Sequence, residues 1–269
     1  MDSSATDHAR RRGFGPFVTL VEHEESNGPF VHWESRQHRK HLDTDVDAST
    51  WWAPRARGWW LAILFAIGSI LFAVGAVPGF ASLAGPRGDS ITFFVGSLFF
   101  TVAAFLQYRE MVDAAPEGSR TGWRRYLSLG VGRIDWWATV VQLAGTLFFN
   151  VSTGDAIRLD LSTGSAMHHV WRPDVLGSAC FLAASVLAWF EVCHGWGAWQ
   201  TSNVSWWIVL VNLAGSVAFA ASALASYVVP ETGELFNVTL SNLGTFTGAV
   251  LFLVGAVLLL PERTEAVAS

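Results

Sequence analysis

The chain has 269 residues, 51% of them hydrophobic and only 14% charged, and its 17 Lys and Arg against 22 Asp and Glu give a net charge of -5. Soluble domains carry nearer a quarter of charged residues, and nucleic-acid binders present a basic stripe, so a soluble enzyme fold and nucleic-acid binding are set aside. Apolar residues gather into uncharged blocks of bilayer-spanning length, while nearly half of the charge lies in the first 58 residues. The chain reads as an all-α polytopic membrane protein with a small N-terminal cytoplasmic appendage.

That appendage and its linker take residues 1–58. Arg10 to Arg12 resemble the start of a signal peptide, but no apolar run follows until Trp59. A cleavable signal is not expected, and the first spanning helix serves for insertion. Short strands are expected at 17–21 and 29–33, around the turn-like Ser26-Asn27-Gly28, then a short helix at 34–42 and a linker at 43–50. His23, His32, His38 and His41 cluster here with Glu34, all metal-ligating types. Their spacing matches no metal signature, and Arg36, Arg39 and Lys40 are interleaved. The segment therefore reads as a solvated basic helix near anionic headgroups, and neither a metal nor a cofactor is expected.

Six apolar segments follow, at 59–78, 91–108, 136–152, 174–190, 206–228 and 241–260. They make a transmembrane domain at 59–263, organised as hairpins 59–110, 136–191 and 206–262, with a short tail at 264–269. The first helix of each pair opens on a double tryptophan, Trp59-Trp60, Trp136-Trp137 and Trp206-Trp207, in the place of interfacial anchors. Eight residues after each second Trp stands a glycine, Gly68, Gly145 or Gly215, and the second helices carry Gly96, Gly177 and Gly248. Four residues beyond each glycine is a phenylalanine: Phe72, Phe100, Phe149, Phe181, Phe219 and Phe252. A further small residue three positions on completes a stripe on one helix face, the packing device expected where lipid replaces water. Repeats that each cross twice share one orientation, so the pattern implies three parallel repeats about a pseudo-threefold axis.

Arg55, Arg57, Arg109, Arg120, Arg124, Arg125, Arg133 and Arg263 flank one side of these helices, against Arg87, Arg158 and Arg172 on the other. The positive-inside rule then puts both termini in the cytoplasm. Cys180 and Cys193 lie about 19 Å apart along one helix, too far for a disulfide within it.

No charge sits at a helix centre, which argues against an intramembrane ion pair. Gln142 and Asn212 occupy equivalent positions three before the repeat glycine, and suit either an interhelical hydrogen bond or a polar solute on the axis. Glu110, Glu191 and Glu262 stand fourteen residues after the second-helix glycines, at helix C-termini where the macrodipole disfavours an acid. They call for salt bridges, with Arg57 and Arg133 as candidates, or form a ring that attracts cations. His168, His169, Asp155, Asp160 and Asp174 read as loop polarity. Cys193 with Glu191 and His194 lacks the oxyanion donors and orienting group of a catalytic thiolate, and no enzymatic chemistry is expected.

The repeated Gly-Ser-x-x-Phe, as in Gly68-Ser69-Ile70-Leu71-Phe72 and Gly96-Ser97-Leu98-Phe99-Phe100, resembles the YrhK-like family of small bacterial membrane domains. The later hairpins depart from it at Gly145-Thr146 and Gly248-Ala249. The resemblance implies no activity and no site residues. Two functions follow as expectations. The first is a structural or interaction protein of the bacterial inner membrane, whose partners are the lipid bilayer and a second copy or another membrane or cytoplasmic protein. The alternative is a channel or facilitator for a small solute or cation along the axis.

Overall fold

The computed structural model describes residues 10–24, 30–40, 49–114, 126 and 130–265. His41, linker residues 43–48, Arg120, Arg124, Arg125 and tail residues 266–269 lie outside them. The chain is mostly helical, with a three-stranded antiparallel sheet at its N-terminus.

The sheet takes β1 (Arg10–Phe14), β2 (Phe17–Glu24) and β3 (Phe30–Glu34) in that order. The charged β1 has no apolar alternation in sequence and was not anticipated. A register shift between Arg12 and Gly13 folds β1 so tightly on β2 that a Cβ at Gly13 would overlap the Phe17 carbonyl. The six-residue α1 (Ser35–Lys40) follows β3 directly.

The longer helices are α2 (Arg57–Gly75), α3 (Phe80–Asp113), α4 (Ile134–Asp155), α6 (Arg172–Cys193), α7 (Val204–Ala225) and α8 (Val238–Glu265). The short α5 (Thr163–Ala166) and a π-helical turn, Met167–Trp171, lead into α6. The α3 helix starts well before residue 91, in two pieces joined at Gly85, whose φ of 75° breaks the helix just ahead of Pro86. Proline disfavours helical backbone in the residue before it, and glycine tolerates the positive φ. Five stretches are long and apolar enough to cross a membrane: α2, α3, α5 through α6, α7 and α8. The expected six reduce to five by this measure because α4 carries Gln142, Asn150, Ser152 and Thr153 along its length.

Glycines bring α2 against α3, α4 against α6, and α7 against α8. A Cβ on Gly96 would lie 2.8 Å from the Phe72 ring, one on Gly177 2.9 Å from Phe149 and one on Gly248 2.8 Å from Phe219. The reciprocal contacts run from Gly68, Gly145 and Gly215 to Phe100, Phe181 and Phe252. Each glycine is the recess that receives its partner's phenylalanine, the close approach that small residues permit. The six rings meet in one buried cluster. Phe72, Phe149 and Phe219 form a triangle with centroid separations of 6.3, 6.3 and 6.1 Å. Phe100, Phe181 and Phe252 form a second, at 6.3, 5.7 and 6.4 Å. Pairs at 5.3, 5.1 and 5.6 Å join the two triangles, leaving a closed aromatic waist across the bundle.

The double tryptophans divide their work. Trp59, Trp136 and Trp206 are buried, while Trp60, Trp137 and Trp207 face outward, each pair meeting edge to face at about 5 Å. Only the outward indoles suit an interfacial anchor. Their N–H groups donate to the carbonyls six residues earlier, at Pro54, Val131 and Thr201. The inward three belong to the core, which corrects the expectation that both members anchor.

Gly248→Val forces a branched side chain into the Phe219 ring and the Gly215 carbonyl, 3.0 Å from the new Cβ. Overpacking of this kind costs about 1–3 kcal/mol. Thermal unfolding in detergent is expected to shift down for this variant and to stay unchanged for Gly164→Ala, where nothing lies within 4 Å.

Candidate functional site

In α1 the sequence Ser-Arg-Gln-His-Arg-Lys places Arg36, Arg39 and Lys40 at i, i+3 and i+4, hence on one helix face. That face turns into the end of the bundle where α3, α6 and α8 present Glu110, Glu191 and Glu262, all three buried. Arg39 is 3% exposed and forks onto Glu191, with Nη1 donating to Oε1 at 3.2 Å and Nη2 to Oε2 at 3.3 Å. Its Nη1 also lies 3.5 Å from Asp135 Oδ2, and Ser35 Oγ donates to Glu191 Oε1 at 2.9 Å. Glu262 is bound by Arg36 Nε at 2.7 Å, Lys40 Nζ at 3.0 Å and Ser205 Oγ at 2.6 Å. Asp135 is gripped in turn by both prongs of Arg133.

Burial alone would lower the Arg39 pKa. The surrounding carboxylates of Glu191, Asp135, Glu110 and Glu262 reverse this and hold it above the ordinary arginine value, so its charge is permanent. An ion in such a place is stabilised by good geometry and hydrogen bonding; the fork pairs both terminal nitrogens, while Nε has no acceptor among the described residues. The expectation of a solvated basic helix on lipid headgroups is therefore overturned: α1 is seated in an acidic mouth. The arginines first assigned to the glutamates bind elsewhere, Arg57 to Asp113 at 2.7 Å and Arg133 to Asp135.

The sheet holds α1 in place. Phe14 stacks on Phe190 with centroids 3.7 Å apart, and Thr19 Oγ1 lies 2.8 Å from His194 Nδ1. His194 ends α6 with a φ of 51°, a left-handed conformation that non-glycine residues adopt rarely. Its Nε2 is 3.8 Å from Glu34, and this imidazole is the main cause that holds the Glu34 carboxyl below its usual 4.5.

Beneath α1 lies a cavity that offers about 60 Å³ to the centres of water molecules, room for a few waters or one small solute. Its walls are Gln107, Gln142, Asn212 and Glu110, its lid is Arg36, Arg39 and Lys40, and Phe65, Phe181 and Phe252 form its apolar floor. Both candidate amides thus face one space, together with Glu110, while Glu191 and Glu262 hold the lid. Among the described residues Asn212 Oδ1 has no hydrogen-bond partner, and a Cβ at Gly255 would collide with it. Gln107 was missed because it falls in the last turn of its apolar segment. It stands eleven residues after Gly96, and the matching places hold Ala188 and Leu259, which line the same cavity.

The remaining polar candidates disperse. His168 pairs with Arg172 at 3.0 Å and His169 with Asp155 at 3.5 Å. Glu191 and His194 are committed to Arg39 and Thr19, and Cys193 Sγ lies 4.0 Å from the Ala198 carbonyl. Both cysteines are free. Among the described residues no group of three or more His, Cys, Asp or Glu is placed to hold a metal ion. Asp174, read as loop polarity, belongs to the first turn of α6 and lines cavities at the bundle's opposite end. Comparison of the chain with protein-family models, curated proteins and solved structures gives no match.

Removing Arg39 leaves Glu191 buried and half-compensated, a loss of about 3–5 kcal/mol. Arg39→Met is expected to lower thermal stability in detergent and to expose the N-terminal segment to protease. Adding Glu191→Leu to it should restore most of the loss, and equal destabilisation in the double variant would show that the loss does not come from a stranded Glu191 charge.

Proposed function

We propose that the protein is a multi-pass protein of a bacterial inner membrane, with six spanning helices in three parallel two-helix repeats and both termini in the cytoplasm. In this reading it is a facilitator for a small cation, held closed by its own N-terminal helix, and it carries no catalytic step. The polar α4 serves as the sixth span: at 22 residues it is about 33 Å long, and α3 and α6 flank it. The repeat is supported by the two phenylalanine triangles, by the reciprocal glycine contacts and by the matching tryptophan bonds. The orientation rests on the arginine count. The likeness to YrhK-like membrane domains belongs to the same proposal, through the Gly-Ser-x-x-Phe motif, and assigns no activity.

The observation that carries the reading is the charge balance at the mouth. Glu110, Glu191, Glu262 and Asp135 against Arg133 leave three negative charges, and α1 brings three positive ones in Arg36, Arg39 and Lys40. With α1 seated, the entrance to the amide-lined cavity is neutral and covered. With α1 withdrawn, it is a ring of acids that concentrates cations, the arrangement of cation-selective pores. A bundle built only to pack gains nothing from buried acids that need buried bases, because apolar residues of similar size serve as well or better. Ionisable groups at such sites point to function by default.

A second reading, a closed membrane scaffold, draws support from the six-ring waist, which leaves no polar path through the centre. The two separate by flux of potassium and of methylammonium into liposomes containing the full-length protein. Arg36→Gln with Lys40→Gln, which loosens α1 while keeping Arg39, is expected to raise cation flux severalfold over wild type. Glu110, Glu191 and Glu262 changed together to Gln should return it to the level of empty liposomes. Flux at the empty-liposome level from every folded variant would leave the scaffold.

A further inference from the structure

The opposite end of the bundle holds a second cavity, with about 170 Å³ open to the centres of water molecules. Its floor is the triangle of Phe72, Phe149 and Phe219, so it meets the aromatic waist from the other side. Asp174 is the one carboxylate among its lining residues. Ser226 Oγ lies a long 3.4 Å from its Oδ2 while donating to the Ala223 carbonyl at 2.9 Å, and among the described residues no base forms an ion pair with it. The nearby arginines are turned to other partners, Arg158 to Asp155 at 3.9 Å and Arg172 to His168.

The remaining polar groups of this cavity are oriented as acceptors. Ser152 Oγ donates to the Val170 carbonyl, Thr153 Oγ1 to Phe149 and Ser222 Oγ to Ser241. With the Ser222 proton so used, the 2.7 Å contact between Ser222 and Thr245 has Thr245 as donor. Every one of these hydroxyl protons is therefore spent, and their lone pairs are what remains for a ligand. A carboxylate and hydroxyl acceptors over aromatic rings repel anions and give a neutral solute no use for the charge. They suit a cation that donates several hydrogen bonds and tolerates a ring beneath it. A divalent metal ion wants more anionic ligands than one carboxylate.

We propose that this outer cavity binds a small monovalent ammonium ion, ammonium itself or a short primary amine, with Asp174 as counter-ion and the phenylalanine triangle as floor. The site deepens the facilitator reading by naming its cation class, and it rests on that reading for its place on the conduction path. Binding, however, is measurable without flux.

The test is a thermal-shift titration of the detergent-solubilised full chain with methylammonium chloride against potassium chloride at matched ionic strength. Wild type is expected to show a saturable stabilisation by methylammonium alone. Asp174→Asn should abolish it, while Gly164→Ala, where nothing lies within 4 Å, leaves it intact. Thr245→Val, which removes one of the acceptor hydroxyls, should weaken the apparent affinity by about tenfold, the effect of one hydrogen bond to a charged group, and serves if the asparagine variant fails to fold. No saturable shift, an equal response to potassium, or an unchanged response in both cavity variants overturns the site. Binding without flux in any variant keeps the site and removes the facilitator reading; potassium flux without methylammonium binding does the reverse.

Discussion

The fork between Arg39 and Glu191 sets what the mouth of the bundle is. Three helices end on buried glutamates, where the helix dipole already disfavours negative charge. Without cations among them, these acids would repel one another and resist burial. The six residues of α1 supply the missing charge on one face, and they are too few to hold a helix by themselves. The dependence is mutual: the acids keep α1 helical and seated, and α1 lets the acids stay buried. The sheet adds the apolar part of the attachment through Phe14 on Phe190, so the appendage docks by stacking as well as by charge.

Two closures lie at different depths along the bundle, and they are physically unlike. The waist is dispersion and ring packing among six phenylalanines, each seated against a partner's glycine, and it changes only when helices move apart. The lid is electrostatic, and salt or a competing charged surface weakens it without disturbing the helices, although its burial shields it from screening more than an exposed pair. Between the two, the inner cavity keeps Gln107, Gln142 and Asn212 away from lipid. An amide carbonyl such as Asn212 Oδ1, with no partner among the described residues, retains its hydrogen-bonding capacity for whatever enters.

The helices were legible because long apolar runs leave little choice in a bilayer, and their boundaries came within a few residues except at α3, which starts at Phe80 and not at residue 91. The spacing of Gly68 to Phe72 and of its five counterparts names the residues that touch, because antiparallel neighbours bring each glycine opposite a ring. The site was legible only in part. Gln142 and Asn212 stood out as amides at matching positions, and the glutamates as acids at unfavourable helix ends. What covers them was not legible from local sequence, since nothing local in Arg36-Gln37-His38-Arg39-Lys40 distinguishes a helix on a lipid surface from one in an acidic mouth. The usable signal was non-local: three unpaired acids in one region and three cations on a single helical face in another. Asp174 was lost differently, because an apolar window placed the helix start at its own position and so assigned it to the loop.

That difference bears on how a cation would move between the cavities. In the far cavity the negative charge is that of Asp174, the one carboxylate of its lining, with which no base pairs among the described residues. On the near side it is a ring cancelled by α1. In the proposed facilitator an ion resting outside would meet an attractive site, then a dry aromatic waist, then a neutral cavity that turns attractive only when α1 leaves. Withdrawal of α1 alone gives an acidic vestibule on a closed waist, and separation of the rings alone leads into a covered chamber. Passage in the proposed facilitator would need both events. Coupling between them has a structural route, because Phe181 and Phe252 belong at once to the waist and to the cavity floor, on the same α6 and α8 that carry Glu191 and Glu262. A force that releases α1 acts on the ends of the helices that hold those rings.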